Sequence, residues 1–296
     1  MNLQFFAVYL NRFSGEVLPI VPFLPVFYAE SGLGLAEVSL VFFVLSISVV
    51  LFELPSGVFA DRFSVRKVLI IGRAIRLAAF LILFLFNNLW GFILAAVFWG
   101  LAIALDSGAF QSYLYRLVRE KSSSNNFDKV LSRSFSASLF GLLLASIIAT
   151  QVSWLSFASL QIVGLMFLVI SFISTLFLPK IELAENLETE GNYFWKELKQ
   201  GFNFVLTTPW LLYLLLVGVL AGAVKGSLDE YTSLLLVEQN LSLAFVGYVL
   251  FGLEVLKTSG AFLAQWFKVR ERNQALMLII FGSCFWIIGF TKFSFY

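Results

Sequence analysis

Arg12, Glu16, Glu53, Arg73, Arg76, Asp106, Lys225, Glu254 and Lys257 are charged side chains that stand inside, or at the edges of, long apolar segments. An ionised group at mid-bilayer costs roughly 2.5–3.5 kcal/mol even on insertion scales, so each needs a partner, a wet cavity or a protonation event. The chemistry within their reach is the binding of a small solute and the exchange of protons. Arg12 and Glu16 are four residues apart and share a helical face. Glu16 lies ~20 Å from the start of its segment, near the bilayer centre. The two read either as a self-neutralising pair or as a pair that lines a cavity. Asp106 has no basic residue at helical spacing on its own segment, so an unpaired buried acid is expected there and it is the first choice for proton coupling. A pair with Arg73 or Arg76 on the preceding segment is the alternative. Glu53 reads equally as a proton carrier and as a hydrogen-bonded structural acid. Glu254 and Lys257, three apart, repeat the first pair later in the chain, and Lys225 is placed to bind an anionic group or to balance Glu254.

Nine apolar stretches must position these groups: Leu3–Tyr28, Leu35–Ala60, Val68–Phe86, Leu89–Tyr115, Leu131–Val152, Phe157–Leu178, Pro209–Val237, Leu241–Phe267 and Ala275–Phe290. Each approaches the ~20 helical residues that a hydrocarbon core takes. They lack period-2 alternation, and backbone groups in lipid must be satisfied within the segment, so helices are expected rather than barrel strands. Hydrophobic residues make up 60% of the 296 and charged ones 13%; with a mean hydropathy of +0.91, a water-soluble core is excluded. Pro19, Pro22 and Pro25 should kink the outer half of the first span. Pro55 and Gly57 should loosen the end of the second. The 35 Phe read mostly as lipid-facing filler, and Trp90, Trp154 and Trp210 as an interfacial belt.

Fourteen of the 20 Lys and Arg fall in alternate gaps: Arg62, Arg66, Lys67; Arg116, Arg119, Lys121, Lys129, Arg133; Lys180, Lys196, Lys199; and Lys268, Arg270, Arg272. By the positive-inside rule these gaps and the N-terminus are cytoplasmic. The net charge of +2 is thereby explained by topology and implies no nucleic-acid partner. With no His and one Cys, no His/Cys metal site, intramolecular disulfide or Cys–His dyad is possible. No metal or cofactor is expected, and an enzyme is disfavoured, since only carboxylate or hydroxyl chemistry would remain to it.

The polar stretch 179–208 separates six spans (1–178) from three (209–296), with an amphipathic surface helix expected over Tyr193–Phe204. An internal repeat matches the halves: Phe63-x-Val65-Arg66 after span two recurs as Phe267-x-Val269-Arg270 after span eight, and such duplications are how many secondary transporters are built.

Gly57-x-x-x-Asp61-Arg62-x-Ser64-x-Arg66-Lys67, between spans two and three, resembles the signature of the major facilitator superfamily. The resemblance implies an all-α membrane protein, a helical bundle with a six-span first half and three spans of a second. Gly57 would let helices approach, Asp61 would act as a conformational latch, and Arg62, Arg66 and Lys67 would set topology and form state-dependent ion pairs. Ser64 stands where the family has glycine, which is expected to weaken a tight turn. The family has twelve spans, so the expectation is of a chain that lacks the last three. The function implied is secondary active transport by alternating access, coupled to protons, with efflux of small amphipathic or drug-like compounds. An importer of a small polar solute and an inactive transporter fragment are the alternatives. Substrate, protons and membrane lipids are the expected partners, and a multi-pass place in the inner or plasma membrane the expected location. In a background without Cys284, cysteines at Ser123 and Thr189 should react with an impermeant reagent only from the cytoplasmic side, and one at Gly34 only from outside. Cytoplasmic labelling at Gly34 would overturn the orientation.

Overall fold

Proline chemistry decides how the first apolar segment folds. In the computed structural model, which describes residues 3–62, 64–121, 127–181, 203–204 and 207–266, α1 runs Leu3–Glu16 and stops. Pro19 has no N–H to give and its ring clashes with the carbonyl four residues back, so the helix cannot pass it. A 3₁₀ turn over Val21–Phe23 and a short α2, Leu24–Glu30, then restart the path. Pro22 and Pro25 are the second residues of these two elements, within the first turn, where a missing N–H costs nothing. The sequence pointed to a kink; the segment is instead broken in two, with Glu16 at the break. Pro55, in contrast, leaves α3 (Leu35–Arg62) one continuous helix.

Five further long helices complete the set with α3. They are α4 Val65–Leu85, α5 Leu89–Lys121, α6 Phe127–Ala149, α7 Phe157–Leu176 and, after the linker, α8 Pro209–Glu238. A last one, α9, runs Leu243–Trp266. Among the described residues, five helices, α3 to α7, are long and apolar enough to cross a membrane. The ninth expected span and most of the expected linker helix lie outside the described residues. The chain divides by contacts into Met1–Phe251 and Gly252–Tyr296. The boundaries drawn from sequence follow the duplicated pattern; the contacts follow the packing of α8 on the first six spans.

Without a hydrophobic drive between helices in lipid, close approach depends on small residues. A Cβ on Gly141 of α6 would collide with the backbone carbonyl of Phe13 in α1, one on Gly100 of α5 would come within 2.6 Å of Ser48 Cβ in α3, and one on Gly72 of α4 within 3.3 Å of Leu105 Cβ in α5. At the Glu30 end, Phe23, Phe27, Tyr28, Phe42, Phe92 and Phe157 pack together, with Tyr28 and Phe92 centroids 4.5 Å apart. These rings are core, not lipid-facing filler, whereas Phe43, Phe135, Phe140 and Phe177 are exposed as filler should be. Trp90, Trp154 and Trp210 are exposed as well, at helix ends.

The same end carries the contacts of α8 and α9 with the first six spans. Tyr231 packs edge-on against Phe42, 5.8 Å between centroids, and donates to Ser39 Oγ at 3.0 Å. Gly247 brings α9 against the Thr150 backbone, where a Cβ would be 2.9 Å from Thr150 Cα. Asn240 ends α8 in the left-handed region at φ 59°, a conformation that asparagine accepts and most residues do not. Its identity is thus explained by the backbone turn.

Gly141→Ala should lower stability by about 1–3 kcal/mol, the usual cost of overpacking. Gly226→Ala, where a Cβ meets nothing within 4 Å, should leave it unchanged or slightly raised. Thermal unfolding in detergent checks both.

Candidate functional site

At mid-length of the first bundle, α1, α4, α5 and α7 bring together five charges and a set of small polar groups. Asp106 of α5 is gripped from two helices: Arg12 Nη1 of α1 donates to Oδ2 at 2.8 Å, and Arg73 Nη2 of α4 lies 3.0 Å from Oδ1. Arg76, one helical turn along α4, faces Glu16 at the end of α1, at 3.6 Å. The Arg12 guanidinium also stacks over the Phe110 ring, 4.4 Å from its centroid. Stacking of this kind suits the planar, weakly hydrated guanidinium.

Arg73 is the most enclosed, with a side chain only 3% accessible, and its Nη2, which faces Asp106, is shared with an amide. Asn11 Oδ1 accepts from Arg73 Nη2 at 3.1 Å. The Asn11 amide nitrogen donates to Ser171 O at 3.0 Å and to Thr175 Oγ1 at 2.5 Å on α7, while Ser171 Oγ donates back to Asn11 O at 3.1 Å. Gly15 completes the niche, since a Cβ there would come within 3.1 Å of Arg73 Nη1 and 3.2 Å of Ser171 Oγ. One buried amide thus joins α1, α4 and α7, and hydrogen bonds of this kind fix geometry in a low-dielectric interior.

The structure corrects two expectations. Arg12 and Glu16 share a face but not a partner, because α1 ends at Glu16 and carries it past Arg12 toward Arg76. Asp106 is not the unpaired acid expected first: the alternative, a pair with Arg73 of the preceding span, holds, and Arg12 of α1, which was not foreseen, takes the other oxygen. Glu53 is exposed on α3 and makes no ion pair among the described residues. Glu254 and Lys257 lie 3.7 Å apart in the second unit. The side chains of Lys225, Gly57, Asp61 and Arg62 lie outside the described set. Of the remaining motif residues, Lys67 is exposed, and Arg66 Nη2 donates to the Leu176 carbonyl at the end of α7, at 2.6 Å. A cation at a helix C-terminus is well placed. Ser64 has φ −53° and ψ 122°, which any residue adopts, so its replacement of the family's glycine carries no backbone cost here.

Sequence reasoning missed Asn11, Ser171, Thr175 and Phe110. The signal for the first three was present, since Asn11 interrupts an apolar face beside Arg12 and Ser171, Ser174 and Thr175 share one face of α7. Asn11→Ala should therefore cost about 1–3 kcal/mol, because it leaves a buried donor of Arg73 unmet. Ser136→Ala, whose hydroxyl returns to Ser132 O of its own helix, should stay within about 0.5 kcal/mol. Urea or thermal unfolding separates the two.

Three comparisons bear on this arrangement. The Major Facilitator Superfamily model matches residues 1–296. A curated relative, described as an uncharacterized MFS-type transporter, YxaM, of Bacillus subtilis (strain 168), is 23% identical over 227 residues, which are 72% of this chain and 53% of that protein. A crystal structure of a mutant of the nucleoside transporter NupG superposes with a TM-score of 0.70 at 15% identity, over 86% of this chain and 64% of that one. The chain thus spans about half the length of the curated relative and under two thirds of the solved one, and at this identity the structure shows the fold alone. With its family match along the whole length, its signature motif and its apolar helices, this chain belongs to the Major Facilitator Superfamily, a family of multi-pass membrane transporters.

Proposed function

We propose that the protein is a secondary active transporter that moves a small molecule by alternating access and exchanges a proton at the ionic cluster of α1, α4 and α5, with Glu16 as the exchanging group. The observation that carries this reading is the difference between the two acids. Both carboxylate oxygens of Asp106 are engaged, at 2.8 and 3.0 Å, so a proton arriving there would displace a guanidinium. Among the described residues Glu16 has one charged partner, at 3.6 Å and beyond hydrogen-bond reach, and a side chain 23% accessible. It also sits at a helix break, where a main chain freed from regular bonding is tolerated in membrane proteins if it lines a cavity or is packed in protein. Asp106 is then the anchor that holds Arg12 and Arg73 in place, and the loose pair Arg76–Glu16 is the part that works.

Export is the direction favoured by the aromatic, weakly polar spans, and placement in the cell membrane with a cytoplasmic N-terminus follows the sorted basic residues. Alternating access would rock the second set of spans about the contacts of Tyr231 and Gly247 at the Glu30 end.

In proteoliposomes, Glu16→Gln should abolish flux driven by a pH gradient while leaving substrate counterflow, which needs no net proton movement, measurable. Asp106→Asn should reduce both, together with thermal stability. Full gradient-driven flux in Glu16→Gln would remove Glu16 from the role.

A further inference from the structure

The charges of the cluster do not balance. Three guanidiniums, Arg12, Arg73 and Arg76, meet two carboxylates, Asp106 and Glu16, among the described residues. All five lie within one electrostatic neighbourhood, since Arg73 interacts with each of the other four. The C-terminal end of α1, at Glu16, adds about half a negative charge from its helix dipole, which leaves the cluster short of neutral. The deficit is localised. Asp106 takes Arg12 and Arg73 at hydrogen-bond distance, and Asn11 accepts a further hydrogen bond from Arg73. Among the described residues Arg76 is left with one contact, at 3.6 Å; the Nε atoms of Arg12, Arg73 and Arg76 are alike without an acceptor there, but Arg12 and Arg73 have fork hydrogen bonds and Arg76 has none. Its side chain is 12% accessible, enclosed enough that water screens it poorly and open enough for a ligand to reach.

A guanidinium offers a planar fork of donors that matches the two oxygens of a carboxylate or phosphate. From this excess of charge and this under-bonded fork we infer that the site takes an oxyanion, the carboxylate or phosphate of a small organic acid, and that Arg76 is the group that binds it. The inference rests on the transport reading and gives it a substrate class. An oxyanion on Arg76 brings the cluster to three cations against three anions. It also competes with Glu16 for Arg76, so that occupation of the site loosens the Glu16 carboxylate, the group proposed to exchange a proton. A cationic solute would be repelled by the same excess, and a neutral one would leave the Arg76 fork unmet. Sugar-like or nucleoside-like neutral compounds are therefore poor candidates.

The test uses the full chain in detergent with four probes of one shape: benzoate, phenyl phosphate, benzamide and benzylamine, at constant ionic strength. At least one of the two anions should raise the unfolding temperature saturably, and which of them does so separates carboxylate from phosphate recognition. Benzamide and benzylamine should not. Arg76→Gln should weaken the anion effect at least tenfold, and Arg76→Lys should restore part of it. Glu16→Gln, which removes the internal competitor, should lower the concentration for half saturation severalfold. Saturable stabilisation by benzamide or benzylamine equal to that by the anions would overturn the inference. So would an absence of any anion effect, or anion effects that are the same in Arg76→Gln as in the unaltered chain. If Arg76→Gln does not fold, the comparison with Glu16→Gln decides alone, and half saturation unchanged or raised counts against the inference. Counterflow in proteoliposomes distinguishes the two levels: anion binding without counterflow sinks transport and leaves the site, whereas counterflow of benzylamine or benzamide leaves transport and sinks the anion site.

Discussion

A charge in hydrocarbon must find its opposite, and Asp106 is where that demand organises the molecule. One carboxylate draws Arg12 from α1 and Arg73 from α4 to its two oxygens, which fixes the mutual rotation of three helices. Any of the three turned by a residue would carry its charge into lipid or core, at several kcal/mol. The remaining features accommodate that triangle. Gly72 lets α4 lie against Leu105 of α5, Gly15 leaves room for the Arg73 head beside Ser171, and Asn11 extends the bonding to α7. Ion pairs of this kind add little net stability when set against apolar replacements, but the loss of one partner is costly, so they specify geometry more than they strengthen it.

The two ends of the bundle are held differently. At the Glu30 end, aromatic rings interlock across α2, α3, α5 and α7, and α8 joins them through Tyr231. At the other end, Tyr113, Leu114 and Leu117 of α5 are buried among Val65, Val68 and Leu69 of α4 and Val8 of α1. Between these two apolar plugs lies the ionic layer. With apolar packing above and below, the charged side chains of this layer keep only between 3% and 23% of their accessibility, and this limited contact with water strengthens the electrostatic interactions among them.

The helices were legible in the sequence because membrane spans announce themselves by length and hydropathy, and the family because the motif after span two is specific. The pairing of charges was legible only in part: Arg73 was among the partners open to Asp106, whereas Arg12 as its second partner and Arg76 as that of Glu16 were not foreseen. Arg12 and Glu16 at i and i+4 invite a local pair, and only the break imposed by Pro19 sends Glu16 to Arg76. Pro19 was visible, but whether three prolines bend or break a helix depends on what packs around it, here Leu18 against Gly164 of α7. Asp106 looked isolated because spacing along one segment says nothing about its neighbours in space. Ser64 looked like a defect because the family's glycine suggested a left-handed turn that this backbone does not make. In each case the sequence carried the residue and tertiary packing supplied its partner.

Arg66 and Tyr113 fasten the exit of the first six spans, one to the carbonyl of Leu176 and the other, at 3.1 Å, to that of Pro179. Arg66 stands on α4 and Tyr113 on α5, the helices that carry Arg73 and Asp106. The chain therefore leaves the six spans from a point fixed to the two helices that hold the central charge. A turn of either helix large enough to break the Arg73–Asp106 pair would also strip a donor from a carbonyl at this exit, so the ionic layer and the exit have to move as one.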